Sequence, residues 1–80
     1  MSTTRITVLF FGQLAEHTGV SSASLSNFPD IDSVMSELNS KYPVLAQQHY
    51  QVALDKEIIH DNIALSGEHI LALLPPYAGG

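Results

Sequence analysis

The residues of this sequence best suited to chemistry lie at its C-terminal end, where two prolines and two glycines follow an apolar run. The segment Pro75-Pro76-Tyr77-Ala78-Gly79-Gly80 comes directly after Leu74. Prolines donate no ladder hydrogen bond, and their fixed φ favours an extended, stiff exit from a sheet. Glycines have no Cβ and allow close backbone approach. The pattern predicts an extended tail, spanning roughly 13 Å from Pro76 to Gly80 at about 3.3 Å per residue, that can enter a narrow tunnel in another protein.

Other side chains that often catalyse reactions or bind metals are present but scattered. There is no cysteine, which excludes thiol nucleophiles, disulfides and thiolate metal sites. No serine lies in a Gly-x-Ser-x-Gly motif, and no glycine-rich phosphate loop is present. The histidines lack the spacing of metal ligands: His17, His49, His60 and His69. The sequence gives no reason to treat the chain as a catalyst by itself, and we expect neither a metal nor a bound cofactor.

The composition indicates a small acidic domain. The chain has 80 residues, enough for one domain, and a formal net charge of −5. Only Arg5, Lys41 and Lys56 are positively charged, which argues against a nucleic-acid partner and suits a partner with a basic groove. The apolar stretch 6–11 is too short for a membrane span or a signal-peptide core. We expect a cytoplasmic protein that contacts neither membranes nor nucleic acid.

Hydrophobic periodicity predicts the elements that position the tail. The expected elements are a strand over 5–11, a helical turn over 13–17, a strand over 21–28, a helix from Asp30 to about Lys41, and strands over 51–54, 58–59 and 70–74. Short strands in the order β-β-α-β-β-β are typical of a mixed sheet of four to five strands on one main helix, the α+β fold called the β-grasp. We expect this domain over 1–76 and a flexible, reactive tail over 77–80.

One face of the predicted sheet has no helix to cover it. The helix has a single apolar stripe, formed by Ile31, Val34, Met35 and Leu38. Alternation in the last strand places Leu71 and Leu73 beneath that stripe and leaves Ile70, Ala72 and Leu74 on the opposite face. An exposed apolar patch on a small domain usually marks a partner site. The sequence therefore predicts a docking face that includes Leu9, Phe11, Ile58 and Leu74.

Several segments of the chain resemble one known protein family. The run Leu73 to Gly80 is similar to the C-terminal signature of the small subunit of molybdopterin synthase, within the ubiquitin-like sulfur-carrier superfamily. The run Val8 to Glu16 resembles the first strand and following turn of that family. Phe28-Pro29 before the helix and Ser66-Gly67-Glu68 before the last strand extend the resemblance over essentially the whole chain.

The resemblance implies a reaction cycle that other proteins perform on the carboxylate of Gly80. A ubiquitin-activating-type adenylyltransferase would join Gly80 to AMP from ATP, and a sulfur donor would convert it to a thiocarboxylate. The tail would then enter the large, catalytic subunit of a heterotetrameric synthase and give its sulfur to a pyranopterin precursor. In this cycle the chain binds no cofactor, and the acid–base groups belong to the large subunit. Tyr77 is bulkier than the residue expected there, so the partner's tunnel must accommodate a ring.

Other functions fit the same C-terminal end. A sulfur carrier of the thiamin pathway or of tRNA thiolation would share the fold and the adenylation chemistry, although the run Leu73 to Pro76 favours the molybdopterin route. A ubiquitin-like modifier would instead form an isopeptide between Gly80 and a lysine of its target. A plain interaction domain would not use Gly79 and Gly80 at all.

Overall fold

The computed structural model of the protein describes residues 4–76. Its elements are β1 (Thr4–Phe10), α1 (Gln13–Thr18), β2 (Ser22–Ser26), α2 (Ile31–Lys41), a 3-10 helix (Pro43–Gln47), β3 (Gln51–Leu54), β4 (Glu57–Ile59) and β5 (Gly67–Leu74). The strands form one mixed sheet in the order β2-β1-β5-β3-β4. β1 and β5 run parallel, and the other neighbours are antiparallel. The predicted β-grasp arrangement is confirmed.

The hydrophobic core lies between the two central strands and α2. Ile6 and Val8 of β1 are fully buried, as are the two leucines predicted beneath the helix. The parallel register places Val8 beside Leu71 and Phe10 beside Leu73. The predicted helical stripe covers these side chains: Ile31, Val34 and Leu38 are buried, and Met35 is half-buried against the same cluster.

Hydrogen bonds fix the start of α2. The Oδ1 atom of Asp30 accepts from the backbone N–H of Ser33 at 2.9 Å, and the Asp30 N–H donates to the Ser33 hydroxyl at 3.4 Å, which completes a capping box. Asn62 ties this end to the segment before β5, because its Oδ1 accepts from the Asp32 N–H at 2.8 Å. The Ser33 N–H, the Ser33 hydroxyl and Asn62 together lower the pKa of Asp30. Asp30 is thus the N-cap of α2, and the helix itself begins at Ile31.

β2 ends two residues earlier than predicted because Thr4 organises the loop that follows it. The buried Thr4 hydroxyl donates to the Phe28 carbonyl at 2.9 Å and accepts from the Phe28 N–H at 2.8 Å. Asn27 has a φ of 68°, a left-handed conformation that ends the strand. Thr4 and Phe28 are 24 residues apart, so local sequence patterns do not reveal this contact.

Two further differences concern segments that the sequence pattern describes poorly. The 3-10 helix was not predicted; Pro43 stands at its start, where a missing N–H costs no helical bond, and Leu45 packs into the core. β5 begins at Gly67 rather than Ile70, because parallel pairing with β1 continues back to Thr4. Within residues 4–76, no helix is long and apolar enough to cross a membrane.

Candidate docking face and tail exit

The sheet face opposite α2 carries a continuous row of apolar side chains. The strand registers pair Leu9 with Ala72, Ala72 with Ala53, and Ala53 with Ile58. Directly paired residues on neighbouring strands project from the same side of a sheet. The row therefore crosses four strands, and its two central alanines are small enough to leave a depression between larger side chains.

A groove of about 540 Å³ opens on this face around Ala72, and we call it the open-face groove. It is lined by Leu9, Phe11, Asp55, Lys56, Ile70 and Ala72. The larger apolar side chains on this side are unusually accessible: Phe11 and Ile58 are each 44% exposed, and Ile70 is 51% exposed. Leu74 alternates with Ala72 and lies on the same face, half-buried. The structure thus brings the four predicted docking residues to one surface; their role in binding stays a prediction.

Part of this groove was not predicted from the sequence. Ile70 and Ala72 were assigned to the open face but not to the docking set, and the period-2 alternation was a sufficient signal for both. Asp55 and Lys56 were interpreted only as a turn. Their place at the rim depends on the register between β3 and β5, which pairs Ala53 with Ala72. No local motif specifies that register.

The turn formed by Asp55 and Lys56 is held against β5 by hydrogen bonds. Both residues have positive φ, 50° and 78°, as a two-residue hairpin of the I′ type requires. The Asp55 N–H donates to the Ile70 carbonyl at 2.8 Å, and its Oδ1 accepts from the Ile70 N–H at 2.9 Å. Its Oδ2 lies 2.6 Å from Nδ1 of His69, whose Nε2 lies 2.8 Å from the Ser66 carbonyl oxygen. His69 therefore has a structural role that fixes one rim of the groove.

Acid is expected to loosen this rim. The Ile70 N–H and then the His69 ring lower the pKa of Asp55. A carboxylate whose pKa is lower in the folded state stabilises the fold above its ordinary value of about 3.9 and loses that contribution as the pH falls through the lower, folded value. We predict that stability declines below about pH 4, and that Asp55→Asn shows a shallower decline than the unmodified chain.

Urea unfolding at a series of acidic pH values measures this difference. Asp30→Asn provides a second carboxylate variant for comparison. The pKa of Asp30 is also lowered, and this residue caps the N-terminal end of α2 and does not line the groove. We expect the double variant to have the flattest profile of the four proteins. If the free energy of unfolding falls equally steeply with pH in Asp55→Asn and in the unmodified chain, the role assigned to this carboxylate is wrong.

The other half of the open face is polar. Ser22, Ser24 and Ser26 of β2 pair with Leu9, Thr7 and Arg5. The Arg5 guanidinium lies 3.9 Å from the Glu68 carboxylate, and both side chains are mostly exposed. Exposed ion pairs of this kind contribute little stability. From Ile70, which pairs with Thr7, the apolar surface extends to the end of the sheet that includes Phe11 and Leu74, which we call the apolar end.

The chain leaves the sheet at this same apolar end. Because β1 and β5 are parallel, both reach it with their C-terminal ends, and the Phe11 N–H donates to the Leu73 carbonyl at 3.1 Å. Pro75 is half-buried and Pro76 is exposed. The predicted tail residues Tyr77, Ala78, Gly79 and Gly80 lie outside the described residues.

The structure does not gather the candidate metal ligands. Across residues 4–76, no group of three or more histidine, aspartate or glutamate side chains is placed to hold a metal ion. The histidines of this range are separated on the fold: His17 lies in α1, His49 and His60 flank β3 and β4, and His69 lies in β5.

Comparison with solved structures gives several matches to this fold. Small archaeal modifier protein 1 from Methanosarcina acetivorans superposes with a TM-score of 0.79 over 100% of both chains, at 20% identity. The protein of the same name from Haloferax volcanii gives a TM-score of 0.78 at 23% identity, over 95% of this chain and 99% of the other. A complex of subunits 1 and 2 of molybdopterin-converting factor from Helicobacter pylori contains a chain with a TM-score of 0.74 and 23% identity, with the same coverage.

Sequence comparison identifies the family. A search of functionally curated proteins gave no match. The sequence profile of the ThiS family matches residues 8–80, which include the end of β1 from Val8 and both C-terminal glycines. A match over nearly the whole chain, together with the β-grasp fold, shows that this chain belongs to the ThiS family of ubiquitin-like sulfur carriers.

Proposed function

We propose that this chain carries sulfur as a thiocarboxylate on Gly80 and acts as the small subunit of molybdopterin synthase. The observation that carries the proposal is the position of the chain exit. β5 leaves the sheet beside the open-face groove, at the end where Phe11 and Leu74 lie. A partner that covers this groove therefore lies beside Pro75 and Pro76, where the chain leaves the sheet.

The reactive group is the carboxylate of Gly80, which must be activated before it can accept sulfur. A carboxylate oxygen attacks the α-phosphorus of ATP and displaces pyrophosphate, which gives an acyl adenylate. A sulfide equivalent then attacks the carbonyl carbon and displaces AMP, which leaves a thiocarboxylate. No side chain of the carrier takes part, in keeping with a chain that has no cysteine. A ubiquitin-activating-type adenylyltransferase supplies the catalytic groups and consumes the ATP.

The acceptor of the sulfur is a pyranopterin precursor held by the large subunit. The Helicobacter pylori complex, in which subunit 1 is bound to subunit 2, supports a partner of this kind for a chain of the same fold. The apolar groove supplies the desolvated centre of such an interface, and the polar half of the face supplies its rim. Similarity of the run Leu73 to Pro76 to the molybdopterin synthase small subunit supports this pathway over the thiamin pathway.

The intact mass of the chain tests the carboxylate chemistry. The chain is incubated with ATP, a sulfur donor and an adenylyltransferase that thiolates a known carrier. We expect a mass gain equal to one oxygen exchanged for sulfur, and no gain in a control that lacks Gly80. If the full chain gains no mass while the known carrier does, the thiocarboxylate proposal is wrong.

The pathway is tested by adding the large subunit and the pyranopterin precursor to the thiolated chain. Formation of the dithiolene product, with return of the chain to its original mass, supports the molybdopterin assignment. Sulfur transfer only to a thiazole synthase or to tRNA would assign the carrier to one of those pathways instead. Covalent conjugates between Gly80 and lysines of other proteins in cells would identify a protein modifier.

A further inference from the structure

Two residues at the C-terminal ends of the parallel central strands lie in direct contact. Gly12 follows β1 and Pro75 follows β5. A Cβ placed on Gly12 would lie 3.0 Å from Cγ of Pro75 and 3.9 Å from its Cδ. The first distance is shorter than about nine in ten real Cβ contacts, so the ring would have to move. The proline ring therefore rests on the surface of Gly12 that lacks a side chain, and we call this contact the Gly12–Pro75 seat.

The backbone conformation of Gly12 makes the seat specific to glycine. Its φ of 58° and ψ of −131° lie in a region that L residues with a side chain rarely adopt. This conformation turns the chain from β1 into α1, and the Gly12 carbonyl accepts from the Ala15 N–H at 3.2 Å. The seat is thus anchored to a helix on one side and to the sheet on the other.

The seat lies where the direction of the tail is set. Leu73 is the last residue of β5 whose carbonyl bonds to the β1 chain, through the Phe11 N–H. Beyond it, the proline ring fixes φ at residue 75, and the contact with Gly12 fixes where that ring lies. The contact therefore constrains the direction in which the chain leaves the sheet at Pro75.

We infer that Gly12 is a positioning residue for the C-terminal tail: through its contact with Pro75 it directs Gly80 into the active site of a docked partner. The inference rests on the proposed function of Gly80. The reacting carboxylate belongs to Gly80 and not to Gly12. The effect of Gly12 is therefore on the rate at which a docked carrier reacts and not on docking, which uses the neighbouring open-face groove.

A kinetic comparison of two glycine variants tests the inference. Gly12→Ala introduces both the collision with Pro75 and an unfavourable backbone conformation. Gly19→Ala is the matched control: Gly19 also has a positive φ, 82°, but a Cβ there meets nothing within 4 Å. Adenylation by the activating enzyme is followed by pyrophosphate release at a temperature where circular dichroism shows both variants folded.

We expect Gly12→Ala to lower kcat at least about tenfold while KM stays within about twofold, because a misplaced reacting group slows chemistry without weakening binding. Gly19→Ala should change neither constant. Adding Pro75→Ala to Gly12→Ala should lower kcat no further than the larger of the two single effects, because both changes remove the same contact, whereas two independent destabilising changes would add. Equal kcat and KM values for Gly12→Ala and Gly19→Ala would overturn the inference.

If Gly12→Ala does not fold, the variant Pro75→Ala tests the inference alone. Its kcat is expected to fall at unchanged KM, and an unchanged kcat overturns the inference.

Nuclear magnetic resonance separates failure of the seat from failure of the proposed function. A nuclear Overhauser effect between the Gly12 Hα and the Pro75 ring is expected in the unmodified chain, whether or not Gly80 is ever thiolated. If the effect is absent although the chain is adenylated normally, the seat is wrong and the proposed function survives. If the effect is present but the chain is never adenylated, the proposed function is wrong and a positioning role for Gly12 falls with it.

Discussion

A chain extended past Gly80 by one residue is expected to lose thiolation at Gly80 completely. Adenylation requires a free carboxylate oxygen as the nucleophile, and an added residue converts that group into a peptide carbonyl. The new terminal carboxylate also lies about 3.3 Å further along the tail. The added residue has a Cβ unless it is glycine. Intact-mass analysis after incubation with ATP, activating enzyme and sulfur donor measures the loss, and tandem mass spectrometry locates any sulfur that is gained.

A removable extension provides the control for this experiment. If the added segment contains a protease site that regenerates Gly80 as the last residue, cleavage should restore the full mass gain in the same preparation. Recovery shows that the extension blocked the reacting group and did not unfold the domain. Sulfur found on the added residue before cleavage would contradict the requirement for Gly80 and would indicate a tail whose length the activating enzyme does not monitor.

The elements predicted best are those that local physics specifies. α2 combines an apolar stripe of helical period with a capping aspartate at Asp30 and a proline just beyond its end, and each signal favours the same boundaries. β1 and β5 are rich in β-branched and aliphatic residues, and the period-2 alternation of a strand correctly assigned Leu71 and Leu73 to the buried face and Leu9 to the open face.

The features that escaped prediction depend on contacts between distant segments. Asp55 reaches the rim of the groove only through its bonds to Ile70, and Gly12 meets Pro75 only because β1 and β5 are parallel neighbours. Strand order and register decide both contacts, and neither is encoded in a local pattern. The candidate site was therefore predicted as a list of side chains on one face. The shape of the open-face groove and the Gly12–Pro75 seat could be determined only from the fold.

Replacement of Phe11 by alanine is expected to weaken partner binding while the domain stays folded. The ring is 44% exposed and lines the open-face groove. Aromatic side chains at the centre of an interface commonly contribute about 2 kcal/mol or more to binding, and a loss of about 1.4 kcal/mol lowers affinity tenfold. We predict a loss of about 10- to 100-fold in affinity for the large subunit, measured by isothermal titration calorimetry.

The adjacent residue is a matched control that separates docking from folding. Phe10 has the same side chain on the opposite face, where it is only 4% exposed and packs edge-to-face on Tyr42 with ring centroids 5.5 Å apart. Phe10→Ala should cost about 3–5 kcal/mol of stability, close to the whole stability of a small domain. Phe11→Ala should change the urea midpoint little, because removal of this exposed ring creates no cavity in the core. If Phe11→Ala unfolds the domain as Phe10→Ala does, Phe11 belongs to the core and the docking face lies elsewhere. Loss of binding with an unchanged midpoint would place the partner on the open-face groove, beside the exit of the reactive tail.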